Sequence, residues 1–382
     1  MGPLHGVKII EIVGMGPAPY AAMLLADMGA EVIRVERPGG SLFSYGNKLD
    51  LLNRNKKCIC VNLKNTEGVD VIKKLLAQAD VLLEGYRPGA MEKFGLGPDE
   101  CFKHNPKLIY GRLTGWGQDG PLAQQAGHDL NYISLSGVVH AFGRAGEKPV
   151  VPLPLIGDFS GGGLFMALGI MSALFEASKS GKGQVVDASI VDGTAHMMST
   201  IFAAQQIGFW SNERGSNLLD SGAPFYEVYT CKDGKYISVA AIEQKFYAEF
   251  LRGLGYSEID ITTFSAQQMD QAQWPALKEK FQDIFLTKTR DEWIKIFSSR
   301  DTCVAPVLSS EEARVHPHNI ARKTFIEDDE VWQPRPAPRF SRSDNSTVQA
   351  PVKLGADTDT VMQQLGYTPA QIETLKKSGA VF

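Results

Sequence analysis

The sequence predicts an α/β fold with a large domain and a smaller α+β domain. Residues 1–36 alternate an apolar strand, an apolar helix and a second strand, and residues 68–83 supply a further helix and strand. Strands that alternate with helices in this way are typical of a parallel sheet. At 382 residues the chain is also longer than one hydrophobic core usually supports. We therefore expect two domains.

The opening strand–helix–strand unit is predicted from three segments. Residues 7–13 are apolar and β-rich, residues 20–28 form an apolar helix that Gly29 can end, and residues 31–36 supply the second strand. Glycine and proline between the first strand and the helix indicate a tight turn.

This unit also raises a dinucleotide-dependent oxidoreductase as an alternative. Glu36 stands about where a dinucleotide-binding fold places the acid that binds ribose. The glycine fingerprint is incomplete, however, because Pro19 occupies the position of its third glycine. A proline ring there opposes the close packing of helix on strand that the fingerprint needs. A tight turn without a dinucleotide is the better interpretation.

A group of basic residues lies in and after the second strand, in a segment that glycine and proline predict to be largely loop. The group could bind the phosphates of a nucleotide such as coenzyme A, or it could form a solvated face with ordinary salt bridges. Its members are Arg34, Arg37, Arg54, Lys56, Lys57 and Lys64. Arg87 follows the strand predicted at residues 80–83, at the sheet edge where α/β proteins bind ligands.

Composition narrows the class of protein. Hydrophobic residues make up 43% and charged residues 21%, as in ordinary globular chains. A net charge of -4 disfavours the basic surface that nonspecific nucleic-acid binding needs. The five cysteines include no C-x-x-C pair, so neither a disulfide framework nor a zinc or other metal site is predicted.

The sequence was also searched for signals of cellular location. The first residues lack the pattern of a secretory signal, and no apolar run is expected to approach the roughly 20 residues that span a bilayer. The chain shows no C-terminal S-K-L type signal for peroxisomes. We expect a protein without a membrane span in the cytoplasm or, in a eukaryotic cell, in mitochondria or peroxisomes.

The rest of the chain predicts a small domain and a return to the large one. Residues 226–241 form two strands around a turn, residues 246–254 a helix and residues 274–297 further helices. The proline-rich segment 334–338 is predicted to be an extended linker. Residues 357–366 and 369–377 are predicted to form terminal helices.

Several motifs together resemble the α-methylacyl-CoA racemases, within the family III CoA-transferase superfamily. Their order and spacing along most of the chain carry the resemblance, since each is weak alone. They are Gly14-Met15-Gly16-Pro17, Arg34-Val35-Glu36-Arg37-Pro38, Glu84-Gly85-Tyr86-Arg87-Pro88-Gly89, Gly127-His128-Asp129-Leu130-Asn131-Tyr132, Leu155-Ile156-Gly157-Asp158-Phe159-Ser160-Gly161-Gly162-Gly163, Gly181-Lys182-Gly183-Gln184, Gly222-Ala223-Pro224-Phe225-Tyr226 and Ala241-Ile242-Glu243.

The resemblance implies an architecture. It implies a Rossmann-like large domain formed by both chain ends, a smaller domain between them, and an interlocked homodimer. We place the large CoA-binding domain at residues 1–190, completed by 335–382, and the small domain at 225–300. Residues 191–224 and 301–334 are then linkers.

The resemblance also implies the site. His128 and Asp158 are the expected catalytic pair, and Glu243 is the acid expected to hydrogen-bond the histidine. No cofactor is implied, because coenzyme A is part of the substrate, a 2-methylacyl-CoA. The residues expected to contact this ester are Arg37, Val61, Asn62, Leu63, Lys64, Arg87, Gly127, Asp129, Leu130, Asn131 and Tyr132.

These residue types suit inversion at the α-carbon of a thioester. One proton must leave one face while another arrives on the opposite face, through an enolate that needs hydrogen bonds. A histidine near its ordinary pKa suits one face, and Asp158 suits the other if burial raises its pKa. Asp158 is predicted at the start of a helix over residues 164–177, where it could instead be an N-cap. The amides of residues 160–163 are predicted to bind the enolate oxygen.

Two further alternatives stay open at this point. A CoA transferase of the same superfamily would use Asp158 as a nucleophile and would not need His128 as a proton carrier. A noncatalytic acyl-CoA-binding protein would need neither. Three neighbours of the functional residues depart from the expected pattern, with Ser160 and Ser221 in place of glycine and Gln244 in place of proline.

Overall fold

The structure, a computed structural model, describes residues 1–40 and 48–382. These residues form two compact units. The large unit contains Met1–Ser136, Pro152–Met198 and Phe325–Phe382, and the small unit contains Gly137–Val151 and Ser199–Thr324. Each unit is therefore assembled from separate stretches of the chain.

A six-stranded parallel sheet forms the centre of the large unit. Its strands are β1 (Lys8–Ile12), β2 (Glu31–Glu36), β3 (Lys56–Cys60), β4 (Val81–Glu84), β5 (Ile109–Thr114) and β6 (Gln184–Ser189). They lie in the order β3-β2-β1-β4-β5-β6, and every neighbouring pair is parallel. The predicted α/β fold is confirmed.

Other strands form two small antiparallel sheets. One in the small unit has the order β7-β8-β9, and a two-stranded one in the large unit pairs β10 with β11. Their bounds are β7 (Tyr226–Thr230), β8 (Tyr236–Ala240), β9 (Val304–Pro306), β10 (Phe325–Asp328) and β11 (Val331–Pro334).

Helices account for most of the remaining regular structure. In chain order they are α1 (Pro17–Asp27), α2 (Thr66–Leu76), α3 (Ala90–Lys93), α4 (Pro98–His104), α5 (Asp129–Leu135), α6 (Val138–Ala141), α7 (Phe165–Ser180), α8 (Ile190–Met197), α9 (Ser199–Gln206), α10 (Gln244–Leu254), α11 (Glu258–Ala266), α12 (Trp274–Phe285), α13 (Arg290–Phe297), α14 (Ser310–Val315), α15 (Pro317–Arg322), α16 (Thr358–Gln364) and α17 (Pro369–Lys377). Leu51–Asn53 and Gln271–Gln273 are short 3₁₀ helices, and Leu155–Leu164 is π-helical.

Helices cover both faces of the parallel sheet. On one face α2, α4, α16 and α17 pack over the strands, and on the other face α1 and α7 do so. Because both faces are covered, β1 is almost continuously buried, its Glu11 included. The core of the small unit is rich in aromatic side chains, with Phe250 stacked on Phe297 and Tyr229 on Phe285.

Most predicted elements lie where expected, with shifted ends. The helix expected at 20–28 begins at Pro17, since proline suits a first helical turn, and the helix expected at 369–377 has those bounds. The helix predicted at 164–177 instead continues from a π-helical segment that begins at Leu155. Strands β3, β5 and β6 were not predicted.

The two units differ from the predicted domain boundaries. Residues 137–151 group with the small unit, although the prediction assigned them to the large domain. The segments predicted to be linkers contain regular structure, because most of α8 and all of α9 lie in the first, and β9, α14 and α15 lie in the second. Residues 325–334 belong to the large unit.

The helical stretch Leu155–Ser180 is long and apolar enough to cross a membrane by length and composition. It has 26 residues, and its most apolar window has a mean hydropathy of 1.4. The core helix of a soluble protein passes the same test, so this is weak evidence. The sequence expectation overlooked this stretch because Asp158 and the glycines interrupt its apolar run.

Much of the predicted basic group is buried in ion pairs. Arg34 pairs with Glu36 at 3.1 Å, and Lys56 pairs with Glu11 at 2.8 Å. Arg54 binds Asp27 through two nitrogens, at 2.5 and 3.0 Å. The interpretation of these three basic residues as anion ligands is therefore wrong, because buried carboxylates already hold them.

We predict that Asp27→Ala destabilises the protein by about 3–5 kcal/mol, because the buried Arg54 guanidinium keeps its bonds to Gln333 and the Pro334 carbonyl but loses its only carboxylate partner among the described residues. Urea unfolding followed by circular dichroism measures the change. Glu31→Ala is the matched control, since Glu31 forms partly exposed pairs with Lys57 and Lys8 and its removal should cost about 0–1 kcal/mol. Equal costs for the two variants would contradict the assigned role of the buried pair.

Candidate active site

The strand order of the large sheet fixes where a ligand can bind. The chain proceeds from β1 outward to β2 and β3 on one side and from β4 outward on the other, so β1 and β4 flank the switch point. In open α/β sheets, ligands bind beyond the carboxyl ends of the strands at such a point. The turn after β1 begins at Val13, and the loop after β4 begins at Gly85.

A cavity of about 570 Å³ opens at this place in the large unit. Its wall combines the turns that follow β1, β4 and β5 with the start of α5 and one residue of the π-helical segment. The lining residues are Met15, Pro17, Gly85, Tyr86, Arg87, Pro88, Leu113, Thr114, Gly115, Trp116, Ala123, Gln125, Ala126, Gly127, His128, Asp129, Asn131, Tyr132, Asp158 and Ile190. The structure thus brings His128 and Asp158, the predicted catalytic pair, to one cavity.

Asp158 does not occupy the helix start that the sequence predicted. The helical segment begins at Leu155 after Pro154, so Asp158 lies in its first π-helical turn. The backbone N–H of Asp158 donates to Asp129 Oδ1 at 2.7 Å. The interpretation of Asp158 as an N-cap is wrong, because its side chain faces the cavity instead of capping its own helix.

The surroundings of Asp158 favour its protonated form. Burial raises the pKa of Asp158 to about 6, and the negative charge of Asp129 adds to the rise. A Cβ built on Gly16 would lie 2.8 Å from Asp158 Oδ2, so this carboxyl lies against the turn after β1. Pro17 and Pro19 at the start of α1 have no N–H to offer it.

The amides of residues 160–163 are not positioned to bind an enolate oxygen. They belong to the interior of the π-helical segment and not to its first turn. Gly161, Gly162 and Gly163 are buried, and they pack against α1 and α8. This part of the prediction is wrong because the helix starts earlier than the apolar pattern indicated.

His128 is the residue immediately before α5. Its backbone N–H donates to Asn131 Oδ1 at 3.0 Å, and its carbonyl accepts the N–H of Asn131 at 2.8 Å. These reciprocal bonds fix the backbone at the entry to the helix. The side chain is exposed at the cavity wall.

Tyr132 anchors the loop that carries His128. Its ring fills the space left open by Gly115 and Gly127, its hydroxyl donates to the Gly127 carbonyl, and its ring meets Trp116 edge-on at 4.7 Å. Burial raises the pKa of the Tyr132 phenol, and the charge of Asp158 adds to the rise. Leu130, by contrast, is exposed and lies outside the cavity wall.

Two arginines are among the residues expected to contact coenzyme A. Arg37 and Arg87 are exposed, and Arg37 Nε donates to the Gly40 carbonyl at 2.9 Å. Arg87 lines the cavity, whereas Arg37 lies outside its wall. Guanidinium groups that remain accessible in this way suit phosphate binding.

The segment from Val61 to Lys64 has a structural role as well. The Val61 side chain lies in the hydrophobic core, with Leu63 packed against that core. Asn62 Nδ2 donates to the Gly379 carbonyl at 3.3 Å, and its N–H donates to the Ala380 carbonyl at 2.9 Å. Lys64 is exposed. Of these four residues, Lys64 has the side chain best placed for a phosphate.

Glu243 belongs to the small unit, where it immediately precedes α10. Its side chain is exposed. The pKa of the Cys303 thiol is raised, mainly by burial, and the negative charge of Glu243 adds to the rise. Its partnership with His128 stays a prediction.

Several wall residues were missed by the sequence reasoning. Met15 and Tyr86 follow β1 and β4, and Trp116 follows β5, so all three come directly after strand ends. The order of the strands in the sheet could have indicated these residues, because ligands bind beyond the carboxyl ends of the strands at the switch point. Glu36, the suggested ribose acid, is 1% exposed and paired with Arg34, which argues against a dinucleotide site.

Comparison with known proteins identifies the class to which this fold and cavity belong. Residues 4–358 match the model of CoA-transferase family III, so the chain belongs to this family. Two relatives named alpha-methylacyl-CoA racemase are similar over nearly the full length. The protein of Mus musculus is 46% identical over 97% of this chain and 95% of its own, and that of Homo sapiens is 42% identical over 97% and 96%.

A solved structure supports the fold alone. The CAIB/BAIF family protein from Brucella suis aligns with a TM-score of 0.82 at 23% identity, covering 95% of this chain and 99% of its own.

We predict a pH-dependent stability effect of Asp158→Asn. The folded state binds the Asp158 proton up to a pKa of about 6, against an ordinary value of 3.8, so stability falls as pH rises between these values. Removing the charge should raise the free energy of unfolding at about pH 7.5 and change it much less at about pH 3.5. Asp99→Asn, on the exposed first turn of α4, is the control, and a pH-independent effect of Asp158→Asn would contradict the raised pKa.

Proposed function

We propose that this chain is a racemase that inverts the α-carbon of 2-methyl-branched acyl-CoA thioesters by 1,1-proton transfer through an enolate. The observation that carries the proposal is the presence of His128 and Asp158 in one cavity at the carboxyl edge of the sheet. The relatives named alpha-methylacyl-CoA racemase, similar over nearly the whole chain, support it.

Two groups are needed because the proton that leaves one face of the α-carbon is not the one that arrives on the other. One carrier must hold a proton while the other is free to accept one. With a pKa near 6, Asp158 can hold or release a proton near neutrality, where histidine also ordinarily titrates. The active state of the pair therefore holds a single proton, and the two directions of the reaction share one pH dependence.

The cavity wall suits a thioester with an apolar chain. Met15, Leu113 and Ile190 provide apolar surface, and Arg87 lies at the same wall. We propose that Arg87, together with Arg37 and Lys64, binds the phosphates of the coenzyme A part. No further cofactor enters the proposed reaction, because proton transfer needs only the two side chains.

The finer architecture is part of the same proposal. We propose a Rossmann-like large domain and a homodimer, in which Glu243 hydrogen-bonds His128 and orients its ring. A histidine that is held by a carboxylate keeps a defined tautomer, which is an advantage for a group that transfers protons.

CoA transfer is the second candidate, because the family model that matches the chain carries that name. In that reaction Asp158 would attack the thioester carbonyl, expel the CoA thiolate and form an acyl anhydride. A carboxylate nucleophile works best when ionised, whereas burial favours the protonated form of Asp158. His128 at the same cavity also has no necessary role in that route, so racemisation is the better explanation.

We predict that His128→Ala and Asp158→Asn each slow interconversion of 2-methylacyl-CoA epimers by at least about 100-fold, since each removes a general acid/base. Either variant can keep exchange of the α-proton with deuterium oxide for one epimer only, through its remaining carrier. Proton NMR of each epimer in deuterium oxide measures both rates, and His104→Ala is the exposed-histidine control. Wild-type protein that transfers CoA to an added carboxylate, and incorporates no deuterium, would replace this function with the transferase.

We predict that Arg37→Ala and Arg87→Ala together weaken binding of a CoA ester about 10-fold or more, because a hydrogen bond to a charged group contributes about 1.5–3 kcal/mol. The salt dependence of binding should decrease as well, since fewer charges meet the phosphates. Calorimetry at two salt concentrations measures both changes. Arg342→Ala removes an exposed arginine elsewhere and should leave affinity unchanged; unchanged affinity in the double variant would exclude these arginines as phosphate ligands.

A further inference from the structure

Asp129 lines the same cavity as the two proposed proton carriers, yet its carboxylate binds the protein backbone. It is the first residue of α5, directly after His128. Its Oδ1 accepts the backbone N–H of Asp158 at 2.7 Å, and the N–H of Gly157 also interacts with its carboxylate. These amides belong to the first turn of the helical segment that begins at Leu155. Asp129 thus supplies from another helix the cap that this segment does not supply itself.

The packing around Asp129 is shaped for this contact. A Cβ on Gly157 would overlap Asp129 Oδ1 and would lie 2.7 Å from Ile133 Cγ2, so only glycine lets the two helices approach this closely. Gly157 is buried, and Asp129 is partly buried. The Asp129 carboxylate is therefore already bound by backbone amides before any ligand arrives.

The arrangement also separates the roles of two neighbouring carboxylates. First-turn amides and the positive end of a helix favour a negative charge. Burial raises the pKa of Asp129, and these amides oppose that rise. Asp158 lies in the cavity wall with burial and a neighbouring negative charge. Both effects favour the protonated form of Asp158, burial being the larger.

We propose that Asp129 is a positioning residue for Asp158 and not a ligand of coenzyme A. By capping the segment at Leu155–Leu164, its carboxylate fixes the backbone of Asp158 and aims that side chain into the cavity. The inference rests on the proposed function, in which Asp158 carries the proton.

The first test measures Asp158 directly and needs no turnover. In protein labelled with ¹³C at aspartate carboxyls, the Asp158 signal is assigned by its loss in Asp158→Asn, and its titration gives the pKa. Asp129→Asn keeps an oxygen that can accept the Asp158 N–H but removes the charge, so the pKa of Asp158 should fall below about 6, while burial, the larger cause, keeps it above 3.8. Asp99→Asn should leave it unchanged. An unchanged titration in Asp129→Asn would overturn the proposal.

Other titratable groups at the cavity define the background of this titration. They line the same cavity as Asp158, from the loop after β4 and from the start of α5, and each is retained in Asp129→Asn. They are Tyr86, Arg87, His128 and Tyr132.

The second test uses steady-state kinetics on a 2-methylacyl-CoA. Asp129→Asn should keep KM and move the acidic limb of the kcat/KM profile to lower pH, because a carboxyl with a lower pKa is protonated only at lower pH. Asp129→Ala also removes the cap and should lower kcat about 10-fold or more with KM nearly unchanged, the direction expected when a reacting group is misplaced. A raised KM with unchanged kcat in both variants would instead identify Asp129 as a CoA ligand.

The two tests separate this inference from the proposed function. If wild-type protein does not exchange α-protons, the racemase proposal fails, while the carboxyl titration still decides whether Asp129 controls Asp158. If exchange occurs and neither the titration nor the pH profile moves, only the role of Asp129 is wrong.

Discussion

Close packing of a glycine-rich helical segment determines the geometry of the whole site. At Gly161 a side chain would overlap Thr194 of α8, and at Gly163 it would meet Pro17 and Tyr20 of α1. Only with glycine can α1 and α8 approach the segment closely enough to bring the turn after β1 against Asp158. The same segment meets α5 at Gly157. Cavity shape, carboxyl orientation and the entry of the histidine loop therefore depend on the absence of side chains along one short helix.

The basic residues of the large unit have two different environments. Arg34, Arg54 and Lys56 form buried ion pairs with carboxylates, whereas Arg37 and Arg87 are exposed near the edge where the strands end. A sequence shows that basic residues are near one another but not which carboxylates a parallel sheet will bring beside them. Glu11 lies 45 positions from Lys56 and becomes its partner only because their strands, β1 and β3, flank β2. Local sequence patterns do not show which strands lie next to one another in a sheet, and so they do not predict such ion pairs.

The sequence predicted those elements whose signal is local, either a regular spacing of apolar residues or a short motif. The opening strands and helix, the hairpin at β7 and β8 and the last helix follow from apolar spacing and from turn residues. His128 and Asp158 were found through motifs, and their shared cavity agrees with that choice. The helix start at Leu155 was missed, since a π-helical turn carries extra residues per turn and breaks the 3.6-residue spacing. The contacts of Asp129 could not be read from the sequence either, because they join residues 29 positions apart.

The division of the large unit among three stretches of chain has a consequence for biosynthesis. The core beside β3 and α2 includes Val361, Ile372 and Val381, and the Val61 strand end pairs with Val381. During translation the first strands emerge about 300 residues before these partners. The small unit comes mainly from one continuous stretch, Ser199–Thr324, so its contacts can form while the ribosome is still adding the last helices. Until the last helices are made, the face of the large sheet beside β3 lacks part of its apolar cover, so its side chains stay exposed to water longer than those of the small unit.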